Sequence, residues 1–451
     1  MRFDVSSYGS LKGVAELPGD RSLTLTLLVC AALSGERLAI LNPSPSPDVK
    51  SLWAWLSSNG IIVINDGGRL LVDGGSFTDT LDLKSNVHDD ILHILVSGAV
   101  FSGRSVVIHD ITDRRKDSIE TLSRVLEKIG LPKNAFSVED EQIRFDAASF
   151  STENVIQVDT IWAAECVMAA SLVSKQDIRL SAPGPVLTHV GTVMGLFGYQ
   201  QLNKNEDGSR ENEIARRMAK AQGKPLPDVR CYTRTDAVIH EITVPGDTAF
   251  AAALVSAASI LQKSSLTIRS VLWSQSRRGF FETIRRMKGH IEYESYKRKN
   301  AFDTADISIS WGALEAVHVT ADQARSLQTE LLILGATGAC ATGETVISDT
   351  LSADCPGLGR ERFMALSFGL EILGAHVGDY ADGIVVKGQA ELRGNLIDAC
   401  NDPDLALAFY LLGMCSAGTT SIFGYDEERY PVATFKNILE SLHENASPKF
   451  I

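Results

Sequence analysis

Residues 13–40 read GVAELPGDRSLTLTLLVCAALSGERLAI. The spacing predicts a short strand, a Pro-Gly-Asp turn, an apolar helix, a glycine stop and a second strand. Asp20, Arg21, Ser22 and Thr24 crowd the mouth of that helix. A helix N-terminus carries unpaired backbone N–H groups and the positive end of the dipole, so hydroxyls and a guanidinium there make a ready anion site. The plainer reading is that Asp20 or Ser22 caps the helix. One copy does not separate these readings, but the pattern recurs.

It returns as NVHDDILHILVSGAVFSGRSVVI from Asn86 and as VDTIWAAECVMAASLVSKQDIRL from Val158. Further copies are PGDTAFAAALVSAASILQKSSLTI from Pro245, SLQTELLILGATGACATGETVI from Ser326 and NDPDLALAFYLLGMCSAGTTSI from Asn401. Each has a polar start, an Ala- and Leu-rich helix, a small or polar break and a β-branched run. Helices apolar nearly all round are expected to be buried on most sides. Each copy is followed by a second helix. Gly60, Gly130, Gly198, Gly289 and Gly374 stand at the expected left-handed stops of five of them, and YPVATFKNILESL forms the sixth near the C-terminus. The chain thus reads as six strand–helix–strand–helix–strand units of roughly 70 residues. Residues 203–235 are charged and irregular and read as an insertion, part helix and part loop.

Length predicts two or three domains for 451 residues, and a hydrophobic fraction of 44% supports buried cores. A net charge of -13 argues against nucleic acid or an anionic membrane as the main partner, while leaving room for a local basic site. The first residues lack an apolar signal segment, and no window approaches a membrane span. Seven cysteines occur without zinc spacing, and Cys30, Cys166, Cys340 and Cys415 lie in apolar helical patterns that suit reduced core thiols. A soluble cytoplasmic protein is expected, with no metal or cofactor.

The motifs LPGDRS, VPGDTAFAAAL, GRERFMALSFGLEILGAHV and YPVATFKNILESL resemble signatures of the enolpyruvyl transferases, most closely the 5-enolpyruvylshikimate-3-phosphate (EPSP) synthases. The likeness spans essentially the whole chain. It implies an α/β fold of two domains, each of three such units with helices inside sheets, the inside-out α/β barrel. Residues 19–244 would form one domain; residues 1–18 and 245–451 would form the other. Helix N-termini would gather at a cleft that receives shikimate 3-phosphate and phosphoenolpyruvate (PEP), and the enolpyruvyl group would pass to a hydroxyl through a tetrahedral ketal phosphate.

Carried over position by position, the resemblance implies catalytic roles for Arg21, Glu330 and Asp402. It implies substrate contacts from Ser22, Thr24, Asn86, Arg115, Asp159, Thr160 and Arg362. The chain departs from the family at many charged positions. Arg21 replaces a lysine, Thr26 and Leu92 stand where arginines belong, and Arg114, Arg115 or Lys116 must serve for another. Asp159, Thr160 and Ile161 replace a Ser-Ser-Gln. Thr329 falls on the expected base, with Glu330 beside it, and Pro403 and Asp404 follow a retained Asp402 where the family has His-Arg. Two dianions in one cleft repel by several kcal/mol even at an effective dielectric of about 20, so this loss of positive charge matters.

Two relatives fit less well. The loop HDITDRRKDS lacks the cysteine of UDP-N-acetylglucosamine enolpyruvyl transferase, and RNA 3′-phosphate cyclase has fewer units. Asp89 and His93, at i and i+4, are a candidate metal pair without an assignable third ligand, and Cys355 is a candidate nucleophile without a partner base. Burial beside apolar helix is expected to raise the pKa of Glu330 toward a useful range. Three functions stay open: an EPSP synthase-type transferase with a rebuilt site, a relative acting on a less anionic ring, and a non-catalytic homologue with a binding or regulatory role.

Overall fold

A computed structural model describes residues 2–83, 89–109, 113–139, 142–150, 155–202, 228–299, 302–324, 326–327, 329–348, 360–380 and 383–446. The chain divides into two compact units, Met1–Pro18 with Pro245–Ile451, and Gly19–Val244.

Among the described residues each unit holds three sheets; five have four strands wired alike, and the sixth, built on Thr419–Phe423, has three. In Gly19–Val244, the strand Arg37–Leu41 pairs parallel with Glu241–Thr243 and antiparallel with Arg69–Gly75, which also pairs antiparallel with Ile61–Asp66. The second sheet repeats this with Thr80–Leu83, Ser105–Ile108, Gln142–Phe145 and Phe136–Glu139. The third repeats it with Ile156–Gln157, Ile178–Ala182, Asp228–Val238 and Phe197–Leu202. The first sheet therefore takes its leading strand from the end of the segment, at Glu241–Thr243.

The other unit closes in the same manner. Lys12–Ala15 pairs parallel with Ser265–Leu272, and Arg2–Ser6 pairs antiparallel with Thr419–Phe423. Val14 faces Thr267, and Val5 faces Thr420. These two N-terminal strands complete sheets whose other strands lie more than two hundred residues on, which is why the unit is discontinuous in sequence. The sheet of Glu344–Ile347, Gly383–Lys387, His376–Tyr380 and His318–Val319 completes its set.

The helices lie inside. Arg21–Ser34, Asp89–Phe101 and Ile161–Ser174 pack on one another, as do Thr248–Ile260, Glu330–Gly338 and Pro403–Cys415 in the other unit. Leu23 to Leu33 are all buried in the first of these helices, and every residue of Glu330–Gly338 is buried. Leu25, Leu27 and Leu28 are fully covered; burial of such a side chain contributes roughly 2 kcal/mol before entropy is subtracted. Uniformly apolar sequence and internal position thus have one cause: these helices have no solvent face. No helix among the described residues is long and apolar enough to cross a membrane.

Two local readings change. Residues 228–238 are a strand of the third sheet, so the irregular segment is shorter than its charge pattern implied; residues 203–227 lie outside the described residues. Within this strand Tyr232 is fully buried and its hydroxyl donates to the Leu187 carbonyl at 2.8 Å. Gly60, Gly130, Gly198 and Gly374 adopt positive φ at their helix stops, but at the fourth stop Lys288 takes the left-handed turn at φ 63. Gly289 is required there for space instead, since a Cβ would lie 2.6 Å from Ile284 Cγ2.

Candidate functional site

The mouth of the first helix resolves the opening ambiguity residue by residue. Asp20 is the cap: Leu23 N–H donates to its Oδ1 at 2.9 Å. Thr24 is fully buried; its hydroxyl donates to the Asp20 carbonyl at 2.8 Å and accepts from Ser44 N–H at 3.1 Å. That placement favours a scaffold role for Thr24 over the expected ligand contact. Ser22 is exposed beside it. Arg21 reaches across to Asp48, with Nη1 2.7 Å from Oδ2, and both side chains stay about a quarter exposed. A cation at a helix start is present, and a carboxylate already faces it.

The third helix start repeats the capping. Thr160 Oγ1 accepts from Ala163 N–H at 3.1 Å, and Asp159 before it is exposed. Thr160 is therefore committed to its helix, while Asp159 places negative charge at a dipole's positive end, a favourable arrangement that competes with an incoming anion. Asn86 lies outside the described residues. Arg115 belongs to the helix Asp113–Lys128 in its first turn, and its side chain is likewise outside them.

In the other unit, Arg362 and Asp402 meet at the start of the helix Pro403–Cys415. Asp402 caps that helix by accepting from Asp404 N–H at 2.9 Å and Leu405 N–H at 3.0 Å. Arg362 Nη2 donates to Asp402 Oδ1 and to Asp404 Oδ2, each at 2.6 Å. Burial works against the guanidinium's charge, but the two carboxylates outweigh it and hold its pKa above the usual value. One guanidinium between two carboxylates leaves the cluster net negative.

Glu330 opens the helix Glu330–Gly338 and is 3% exposed. Thr248, the first residue after the cap Asp247, donates its hydroxyl to Glu330 Oε1 at 2.8 Å. Arg277 Nη2 lies 3.5 Å from the same oxygen and also donates to Thr248. The carboxylate is thus compensated by a cation and a hydroxyl, and does not stand in the purely apolar setting expected from sequence. Arg277 was not foreseen; its signal was a pair of arginines, Arg277 and Arg278, just ahead of the apolar Phe280 and Phe281.

A second cluster was also unforeseen. Glu165 accepts from His93 Nε2 and from His189 Nε2, each at 2.8 Å, joining three helices. Burial alone would raise its pKa; the two histidine hydrogen bonds prevail and pull it down to about 2. Trp162 lies 5.0 Å from the His93 ring. His93 Nε2 is held by Glu165 while its buried Nδ1 has no hydrogen-bond partner; the side chain of Asp89, the other half of the candidate metal pair, is outside the described residues, and so is Cys355. No group of three metal-ligating side chains occurs among the described residues.

The model of the EPSP synthase (3-phosphoshikimate 1-carboxyvinyltransferase) family matches residues 229–441. A 3-phosphoshikimate 1-carboxyvinyltransferase of Sulfurihydrogenibium sp. is 29% identical over 98% of this chain and 100% of its own. One from Thermoanaerobacter sp. is 21% identical over 94% and 95%. Among solved structures, EPSP synthase of Acinetobacter baumannii superposes with a TM-score of 0.75 at 17% identity over 98% of each chain. The enolpyruvyl transferase NikO of Streptomyces tendae gives 0.69 at 16% identity over 98% of this chain and 97% of its own.

Residues 229–441 thus carry the pattern of the EPSP synthase family, and the whole chain has the fold of the solved EPSP synthases. That fold accounts for the repeated sheets and the buried helices. It also sharpens what is particular here. Of the expected site residues, Arg21 and Arg362 are both held by carboxylates of this chain, and Thr160 and Asp402 are occupied as helix caps, as is Asp20 beside Arg21. The geometry brings Arg362 together with Asp402, and Glu330 with Thr248 and Arg277.

Proposed function

We propose that this chain is an enolpyruvyl transferase with a rebuilt anion site. It moves the enolpyruvyl group from PEP to the hydroxyl of a cyclic alcohol less negatively charged than shikimate 3-phosphate, in a cytoplasmic setting. One observation carries the reading: the Arg362 guanidinium is shared by Asp402 and Asp404. A phosphate dianion placed beside that trio meets net negative charge. Like unit charges 4 Å apart cost about 4 kcal/mol at an effective dielectric of 20, enough to turn a phosphorylated ring from the preferred acceptor into a poor one.

In this reading Arg21 receives the PEP phosphate, exchanging part of its hold on Asp48 for the ligand, and Arg362, shared by two aspartates, meets only the singly charged carboxylate. Ser22 and Asp159, both exposed at helix starts, contact the acceptor ring. Glu330 takes the proton of the attacking hydroxyl as its oxygen bonds to C2 of PEP; Arg277 and Thr248 orient the carboxylate. A proton added at C3 completes the tetrahedral ketal phosphate; loss of a proton from that C3 methyl as inorganic phosphate leaves C2 then restores the vinyl group. General acid–base assistance of this kind contributes typically 10²–10⁴-fold.

The test is phosphate release from PEP with shikimate 3-phosphate, shikimate and other unphosphorylated cyclic polyols in parallel. Release that is at least tenfold more efficient with an unphosphorylated ring is the expected result. Preference for shikimate 3-phosphate overturns the charge reading. Specific PEP binding without release from any acceptor leaves the non-catalytic homologue in its place.

A further inference from the structure

The helix Arg360–Ile372 is apolar on two sides. Phe363, Leu366 and Leu370 belong to the core of their unit, whereas Met364 and Phe368 are 52% and 64% exposed. Tyr380, the last residue of the neighbouring strand His376–Tyr380, is 59% exposed. Met364 and Tyr380 line one shallow recess together with Phe363 and Ile384. Ser367 Oγ donates to Asp379 Oδ1 at 2.8 Å, which pins the helix to that strand. Phe368 stands one turn from Met364, so the three exposed side chains form one apolar surface on a fixed frame. Singly scattered apolar side chains need no explanation, but a contiguous patch of this kind marks an association site.

We propose that through this surface the chain pairs with a second copy of itself, the two Arg360–Ile372 helices lying antiparallel across a two-fold axis near Leu366. The charges beside the stripe select that occupant. At about 3.6 residues per turn, Arg360 and Glu371 lie at opposite ends of the Met364–Phe368 stripe along one edge, and Glu361 and Ile372 lie at opposite ends along the other. Arg360 and Glu371 are exposed, and neither is in an ion pair among the described residues.

Antiparallel two-fold pairing exchanges the ends of a helix and keeps its edges. Arg360 then faces the second copy's Glu371, Glu371 faces its Arg360, and each Met364 faces a Phe368. The other edge sets Glu361 against Ile372, so the acidic Glu361 and Glu371 do not meet. Parallel pairing brings Arg360 to Arg360 and Glu371 to Glu371 instead. The stripe thus complements itself in one orientation, and its charges fix that register while the apolar side chains supply the burial. A thioether against an aromatic ring suits the central contact.

The test is the mass of the full chain in solution, read by sedimentation velocity from about 1 to about 100 µM, where contacts of modest area exchange. The expected result is a concentration-dependent dimer of twice the 48.8 kDa chain. Phe368→Glu should be monomeric throughout. Arg360→Glu should weaken the dimer about tenfold or more, because two attractive pairs become repulsive. Adding Glu371→Arg to Arg360→Glu should restore it. All three side chains are exposed, so circular dichroism and unfolding midpoints should match wild type, which separates loss of pairing from loss of fold. A wild type that stays monomeric over the whole range overturns the proposal and leaves the stripe to a different partner. A dimer that survives Phe368→Glu overturns it too, as does a dimer lost in Arg360→Glu and not regained when the charges are exchanged.

Discussion

Arg362 meets Asp402 along one edge of the guanidinium: Nη2 stands 2.6 Å from Oδ1, and Nε stands 2.6 Å from Oδ2. Asp402 is also the helix cap, so one carboxylate anchors a cation and a helix start together. Asp402→Ala removes a cap worth about 1 kcal/mol and half of a largely buried ion cluster. We expect a loss of about 3 kcal/mol in denaturant unfolding. Asp404→Asn should behave differently, since it keeps the Arg362–Asp402 clasp and deletes one negative charge. Affinity for inorganic phosphate, read by calorimetry, should rise several-fold in Asp404→Asn; an unchanged affinity would place the phosphate elsewhere.

Arg21 and Asp48 pose the same competition in the other unit, where the pair is about a quarter exposed and therefore weakly coupled. Arg21→Ala should weaken binding of PEP roughly tenfold, the loss of one charge-assisted hydrogen bond, and Arg362→Ala should do likewise. Asp48→Asn should leave folding nearly untouched and tighten the same ligand. Wild-type affinity in both arginine variants would remove these residues from the anion site.

Glu165 gives a pH prediction with a definite sign. Its carboxyl falls from an ordinary 4.5 to about 2 in the folded chain. A depressed carboxylate stabilises the fold fully above its unfolded value, and that contribution is lost as pH falls from about 4.5 toward about 2. The amount at stake is on the order of 3 kcal/mol. Unfolding curves of wild type and Glu165→Gln between pH 6 and 3 should converge on acidification. Parallel curves would mean that the His93 and His189 hydrogen bonds contribute nothing to the protonation equilibrium.

The six units were legible because each repeats a whole sequence of events: polar start, apolar helix, stop, β-branched run. Asp20, Thr160, Asp247 and Asp402 each cap the helix that such a start predicts. Residues 228–235 escaped because DVRCYTRT carries Asp228, Arg230 and Arg234 and lacks a β-branched apolar run, so it reads as part of the polar insertion. The Lys288 turn escaped because a neighbouring glycine seemed the natural stop. The site was harder to read because its partners come from different elements, some in the same repeat and some in another. Glu165 lies 72 residues from His93 and 24 from His189, and Arg277 lies 29 from Thr248. No local period links such distances. The available signal was a lone carboxylate in the otherwise apolar run IWAAECVMAAS, which requires a buried partner without naming it.

Glu330 separates a catalytic reading from a structural one most directly. Its oxygen accepts the Thr248 hydroxyl, and Arg277 lies 3.5 Å away. Glu330→Gln preserves shape and can still accept from Thr248 but removes the charge facing Arg277, so stability should fall by about 1–3 kcal/mol, less than in Glu330→Ala. It cannot take a proton from an attacking hydroxyl, however, and kcat for phosphate release from PEP should fall about 100-fold or more with KM little changed. Glu330→Ala should lose activity and stability together, because the Arg277 guanidinium, 15% exposed, then lacks its carboxylate. Full turnover in Glu330→Gln would leave Glu330 a purely structural counter-ion to Arg277, and the proton would have to go to a different base.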